Sequence, residues 1–316
     1  MNPDEGDTAS FLIADDLLLD RLDDAKGVYE QGRARKLQNG FPDSVMYLLA
    51  FAYGDATGMQ QYFDASMGKP GIEDILLTMR SDVEAYNGQL RKARESSQLA
   101  VESARKNDAK ETAALWQAYA ALHEAEFGNA AEASKQAEAA LSLTPGRDVR
   151  VLAAMALARA GNTTEATKLA ENLNQEFPLD TVMQSNVLPT IRAMLALSRG
   201  QGEQALKLLA ATSGYEFAVP QAFMNTQPAF YPIYVRGQAY LKAGQGQQAV
   251  AEFQKMIGTT YPLGALARFQ LGRAYALSGD TAKAKSAYKD FLTLWKDADP
   301  DIPMLKEAKA EYAKLQ

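Results

Sequence analysis

The sequence predicts an all-α solenoid of antiparallel helix pairs ending in a C-terminal capping helix, and three observations predict it. One pattern occurs twice, 35 residues apart: Gly237, Tyr240, Gly244, Ala249 and Phe253 recur as Gly272, Tyr275, Gly279, Ala284 and Tyr288. A helical repeat of that length marks stacked two-helix units. Gly88, Gly128, Gly161, Gly200, Gly244 and Gly279 then follow one another at intervals of 33 to 44 residues, as turns between helices would. The 12 prolines fall between the helical stretches, where they punctuate rather than break.

Residues 1–70 fit this pattern least and read as degenerate helical repeats, one around Asp20, Ala25 and Tyr29 and another from Tyr47 to Phe63. Residues 71–210 hold clearer units. The one from Ala114 to Arg147 carries Leu115, Tyr119 and Leu122 on its first helix, turns at Gly128, and carries Ala133, Ala137 and Ala140 on its second. Asn129 with Glu132 reads as a variant capping box, and Pro145 closes the unit. The next turns at Gly161, caps with Asn162 and Glu165, continues through Ala166, Ala170 and Leu173, and closes at Pro178. A third turns at Gly200 and runs through Ala205 and Leu209. Small residues recur there because two helices joined by a tight turn approach closely only where one offers Gly or Ala.

Residues 211–232 form an inter-repeat insertion bearing Tyr215, Phe217, Phe223 and Phe230, long and aromatic for a connection inside a compact array. Two well-matched units follow over 233–298. Residues 299–316 carry Leu305, Ala308, Tyr312 and Leu315 on one helical face, fit to cover the apolar end of the last unit.

Composition narrows the function. A hydrophobic content of 47% supplies a packed core. A net charge of −6 argues against nucleic acid as the main partner. The absence of cysteine excludes disulfides and thiolate chemistry, and a single histidine, His123, excludes a histidine-cluster metal site. No metal and no cofactor is expected. Asp15, Asp16, Asp20, Asp23 and Asp24 lack the glycine and spacing of a calcium loop and read as a solvated face. No apolar run is long enough to span a bilayer. The acidic N-terminus lacks the basic and apolar regions of a secretion signal.

The repeated residues resemble the tetratricopeptide repeat, and the resemblance implies a right-handed superhelix that binds proteins or peptides on its concave face. Tyr231-Pro232, the run Leu271 to Leu277 and the run Ala287 to Asp301 are similar to the C-terminal repeat region of bacterial eukaryotic-type serine/threonine kinases and related winged-helix regulators. Glu111 to Gln117 and Gly146 to Ala154 fit the same family, and the likeness covers most of 70–316. The link from Phe253 to Leu263 is shorter than that family leads one to expect. The likeness implies a sensing or regulatory part of a bacterial signalling protein, in the cytoplasm or, behind an upstream membrane segment, outside it.

No glycine-rich phosphate loop, His-Arg-Asp loop or Asp-Phe-Gly ligand is present, so no enzyme activity is expected of the chain itself. Gly200-Gln201-Gly202 and Gly244-Gln245-Gly246 read as turns, and His123, without a nucleophile beside it, as structural. Setting each turn glycine at the fifteenth position of its unit places Tyr231, Tyr234, Gln238, Phe269, Arg273, Met155 and Met194 on the concave wall that the resemblance implies. The Lys and Asn of the chaperone-type carboxylate clamp are replaced by Tyr234, Gln238, Phe269 and Arg273. Such a groove suits an apolar or mixed peptide. Two alternatives remain: the regulatory arm of a kinase, and a self-associating scaffold, against which the capping helix favours a monomer. The aromatic insertion also fits a plug that fills the groove itself.

Overall fold

The computed structural model describes residues 6–36, 42–218 and 227–316. Among them are 17 α-helices and no strand. Sixteen helices among the described residues make eight antiparallel pairs: α1 (Gly6–Leu18) with α2 (Leu22–Arg35), α3 (Asp43–Ala52) with α4 (Ala56–Ser66), and α5 (Glu73–Tyr86) with α6 (Leu90–Lys106). There follow α7 (Lys110–Glu126) with α8 (Ala130–Leu143), α9 (Arg147–Ala160) with α10 (Thr163–Glu176), and α11 (Leu188–Ser198) with α12 (Gly202–Leu209). The last are α13 (Tyr231–Lys242) with α14 (Gly246–Gln254) and α15 (Pro262–Leu277) with α16 (Thr281–Leu294), before the terminal α17 (Pro303–Ala313). No helix among the described residues is long and apolar enough to cross a membrane.

One turn serves nearly every pair. All six turn glycines named from the sequence have φ between 72° and 91°, the left-handed conformation that glycine adopts without steric cost. The next residue then donates its N–H to the carbonyl five positions back, as Gln89 does to Glu84 (2.8 Å) and Asp280 to Tyr275 (3.0 Å). Asp20 (φ 58°) and Asp108 (φ 56°) make the same closure without glycine, at the α1–α2 and α6–α7 junctions. The expected capping boxes do not form. The Asn129 amide donates to Glu124 Oε2 (3.0 Å) and that of Asn162 to Ser134 Oγ (2.8 Å), so both tie neighbouring helices together instead of capping their own. The buried Glu124 carboxylate needs donors more than the exposed helix end needs a cap.

The repeated glycines in the first helices have a packing cause. A Cβ on Gly237 would lie 2.6 Å from the Phe253 ring, and one on Gly272 3.0 Å from the Tyr288 ring. Where the second helix carries Ala170 or Leu209 at the position of those rings, the first helix carries Ala154 or Ala193.

The first helices of successive pairs form a circuit. They neighbour one another in the order α7, α9, α11, α13, α15, and α15 then meets α5. The solenoid therefore closes on itself. Trp295, just past α16, donates from Nε1 to the Tyr86 carbonyl (2.9 Å), and Asp299 donates its N–H to the Gly88 carbonyl (2.9 Å). Arg91 pairs with Asp301 at 3.1 Å across the same seam. One apolar core runs from Tyr47 to Ala308, while a smaller one around Ile13, Leu17, Ala25, Met46 and Leu49 holds the first two pairs.

The terminal helix does more than the expected solvating cap. It covers the last pair, with Tyr312 beside Tyr288 (ring centroids 6.5 Å apart), but its first residue, Pro303, also comes against the Gly128 turn of the fourth pair.

Candidate partner-binding cleft

Most of the expected concave wall lies inside the core. Tyr231, Tyr234 and Phe269 are wholly buried, and Met155 and Met194 nearly so. The expectation that these five face a partner is corrected: they are core. Tyr234 sits edge-on to Phe253 (5.9 Å), and Phe269 lies between Tyr288 (6.0 Å) and Phe291 (5.4 Å). Aromatic rings at helical spacing fill the interior between the two helices of each pair.

Gln238 and Arg273 remain half-buried, in the wall of an open cleft of about 560 Å³. Glu126 of α7, Arg159 of α9, Leu197 of α11, Leu241 and Lys242 of α13, and Glu307 and Glu311 of α17 are among the other lining residues. Its floor is a matched polar network. Arg159 Nη2 lies 3.1 Å from Glu126 Oε2, Arg159 Nη1 donates to Gln238 Oε1 (2.8 Å), and the guanidinium stands 5.8 Å over the Tyr234 ring. Burial pushes the Glu126 carboxyl up, opposed by Arg159 and by the Tyr231 hydroxyl. Burial, helped by the Glu126 charge, pushes the Tyr234 hydroxyl up to about 12.

Arg273, expected as the cation that meets a partner, is already committed. It bonds Glu311 (2.6 Å) and Glu307 (2.8 Å) of α17 and stacks 4.1 Å over Phe269. Those two carboxylates hold its guanidinium well above the ordinary range in spite of burial. What the cleft offers a ligand is thus the half-buried amide of Gln238, one ammonium, Lys242, and the partly exposed apolar side chains of Leu197 and Leu241. That set suits hydrogen bonds to a peptide backbone and contact with an apolar side chain.

No family model matches the sequence, and no curated protein matches it. Among solved structures the chain is similar to a monomeric mutant of IFIT1 with Gppp-AAAA, at 14% identity over 98% of this chain and 73% of that one, with a TM-score of 0.52. It is also similar to a tetratricopeptide repeat protein from Parabacteroides merdae, at 17% identity over 85% of this chain and 98% of that one, with a TM-score of 0.48. A human IFIT1 dimer with m7Gppp-AAAA is 16% identical over 89% of this chain and 66% of that one, with a TM-score of 0.48. The fold is of the tetratricopeptide type.

Tetratricopeptide spacing accounts for the residues that sequence reasoning missed. Glu126 and Arg159 stand two places before the turn glycines Gly128 and Gly161, so stacking brings these equivalent positions into one ion pair. Asp82 and His123 were missed as a pair: Asp82 Oδ1 lies 2.9 Å from His123 Nε2, and both side chains are about 5% exposed. The described part of the insertion does not plug the cleft. The Asn186 side chain, just before α11, donates to the Tyr215 carbonyl (2.6 Å), Arg236 of α13 pairs with Glu216, and Phe217 meets Phe230, just before α13, edge-on (6.2 Å). Phe223 lies outside the described residues. Among the described residues no group of three or more His, Asp or Glu side chains stands together as a metal site.

Proposed function

We propose that this chain is a non-catalytic interaction module that holds a protein or peptide segment in the cleft between α7, α13, α15 and α17. The observation that carries the reading is the cleft's division of labour. Its carboxylates and its two arginines are matched from within, while Leu241 and Lys242 stand at the opening with an apolar group and one unpaired ammonium, beside the half-buried Gln238. An oligonucleotide such as the Gppp-AAAA bound by IFIT1 would meet Glu126, Glu307 and Glu311 here, which favours a peptide over RNA. The finer reading, a sensing or regulatory arm of a bacterial kinase or regulator, rests on the resemblance of the Ala287–Asp301 run. It calls for changed kinase output when the arm is deleted from such a parent.

The test is capture of partners by the whole chain and by Leu241→Glu, which places a carboxylate in the cleft mouth on a half-exposed side chain. Partners held by the unaltered chain and lost by the folded variant support the reading; equal recovery by both overturns it. Tyr234→Ala and Arg273→Glu do not serve, because both residues hold the core together.

A further inference from the structure

We propose that a second surface, the basic cleft between α11, α12 and α13, takes an acidic segment of a partner protein. This cleft, about 870 Å³, is lined by Arg192, Arg199, Lys207 and Lys242 around an apolar base of Leu195 and Leu208. None of these four cations has an ion pair or a side-chain hydrogen bond among the described residues, whereas Arg150, Arg159, Arg236 and Arg273 each hold a carboxylate. In a chain of net charge −6, four unneutralised cations line this one cleft.

The fold brings them together. Glycine at 202 lets α12 close on α13, since a Cβ there would lie 2.8 Å from the Ala243 nitrogen. The Lys242 stem passes the Gly200 turn at ordinary contact distance. The one carboxylate in the lining, Glu203, accepts a bond from Gln245 Nε2 (2.9 Å) and so points its charge along the neighbouring turn. None of the four cations occupies the helix positions through which the chaperone-type clamp grips a carboxylate, and only Lys242 is shared with the cleft described above.

The chemistry favours an acidic peptide with interspersed apolar residues over RNA. The lining holds no aromatic ring on which a base could stack, and a longer polyanion would leave the basic cleft for an acidic surface. Carboxylates spaced along a peptide meet the four cations, and a leucine-like side chain covers Leu195 and Leu208.

The experiment titrates a fluorescein-labelled peptide of alternating acidic residues and leucine against the full chain by anisotropy, with an adenosine-rich RNA oligonucleotide in parallel. Arg199→Glu/Lys207→Glu reverses two exposed charges, and circular dichroism checks its fold. We expect the peptide to bind, its affinity to fall with salt, and the double variant to lose about tenfold or more. Leu241→Glu leaves this binding unchanged, which separates it from the other cleft. No peptide binding, equal binding by the double variant, or RNA binding in the peptide's place overturns the proposal.

Discussion

The Trp295 ring lies flat on the Phe127 ring, with centroids 5.4 Å apart and planes 7° from parallel. Phe127 ends the first helix of the fourth pair and Trp295 ends the second helix of the eighth, so this stack joins parts of the chain 168 residues apart. Both rings are almost wholly buried, and Trp295 also packs on Phe291 at 4.6 Å. A tetratricopeptide array that would otherwise present an open concave face is thereby shut upon its own aromatic residues.

Phe127→Ala is expected to destabilise the chain by about 3–5 kcal/mol, the range for emptying a large buried aromatic site. Urea unfolding followed by circular dichroism reads the loss. A change near zero would mean that the stack closes nothing.

Gly237→Ala forces a methyl group onto the Phe253 ring and should cost about 1–3 kcal/mol by overpacking. Trimming the ring as well, in Gly237→Ala/Phe253→Leu, should recover part of that loss. Denaturant midpoints of the single and double variants decide it, and purely additive costs would refute the packing account of the repeat.

Removing Arg159 leaves the Glu126 carboxyl buried without its cation. Because the Arg159 side chain keeps 23% of its surface exposed, Arg159→Met should cost about 2–3 kcal/mol, less than a fully buried pair. Adding Glu126→Gln should return most of it. A double-mutant cycle measures the coupling.

Acid should loosen the α17 contact. Burial pushes the Glu311 carboxyl up, but bonds from Arg273 and Tyr288 outweigh burial and hold it below its ordinary value. A depressed carboxyl contributes its full stability above the ordinary glutamate range and loses it as pH falls through the folded value. Glu311→Gln should therefore be less stable than the unaltered chain by about 1 kcal/mol near neutrality, with the gap closing below about pH 4. Parallel stability curves across that range would contradict the assignment.

The repeat architecture was legible because its signals are local. Gly244 and Gly279 need only their own turns, and Gly237 with Phe253 needs only its own helix pair. Asp20 was legible through its spacing to Ala25 and Tyr29, whereas the αL aspartate Asp108 escaped because a glycine pattern passes over a residue that adopts that conformation at modest cost. The site was legible only in part. Counting from the turns put Gln238 and Arg273 on the inner wall, but closure depends on Trp295 meeting Phe127 and Asp299 meeting Gly88, contacts between remote segments that no spacing rule carries. Tyr234 and Phe269 went into the core against rings of their own helix pairs, Phe253, Tyr288 and Phe291, as spacing alone did not say.

The most direct test of closure exploits the absence of native cysteine. Spin labels on Arg91→Cys and Asp301→Cys, which sit across the seam, report its width by pulsed dipolar spectroscopy. The closed solenoid predicts a single narrow distribution at the short end of the measurable range. A broad distribution, or one centred at the long separation of an open superhelix, would contradict it.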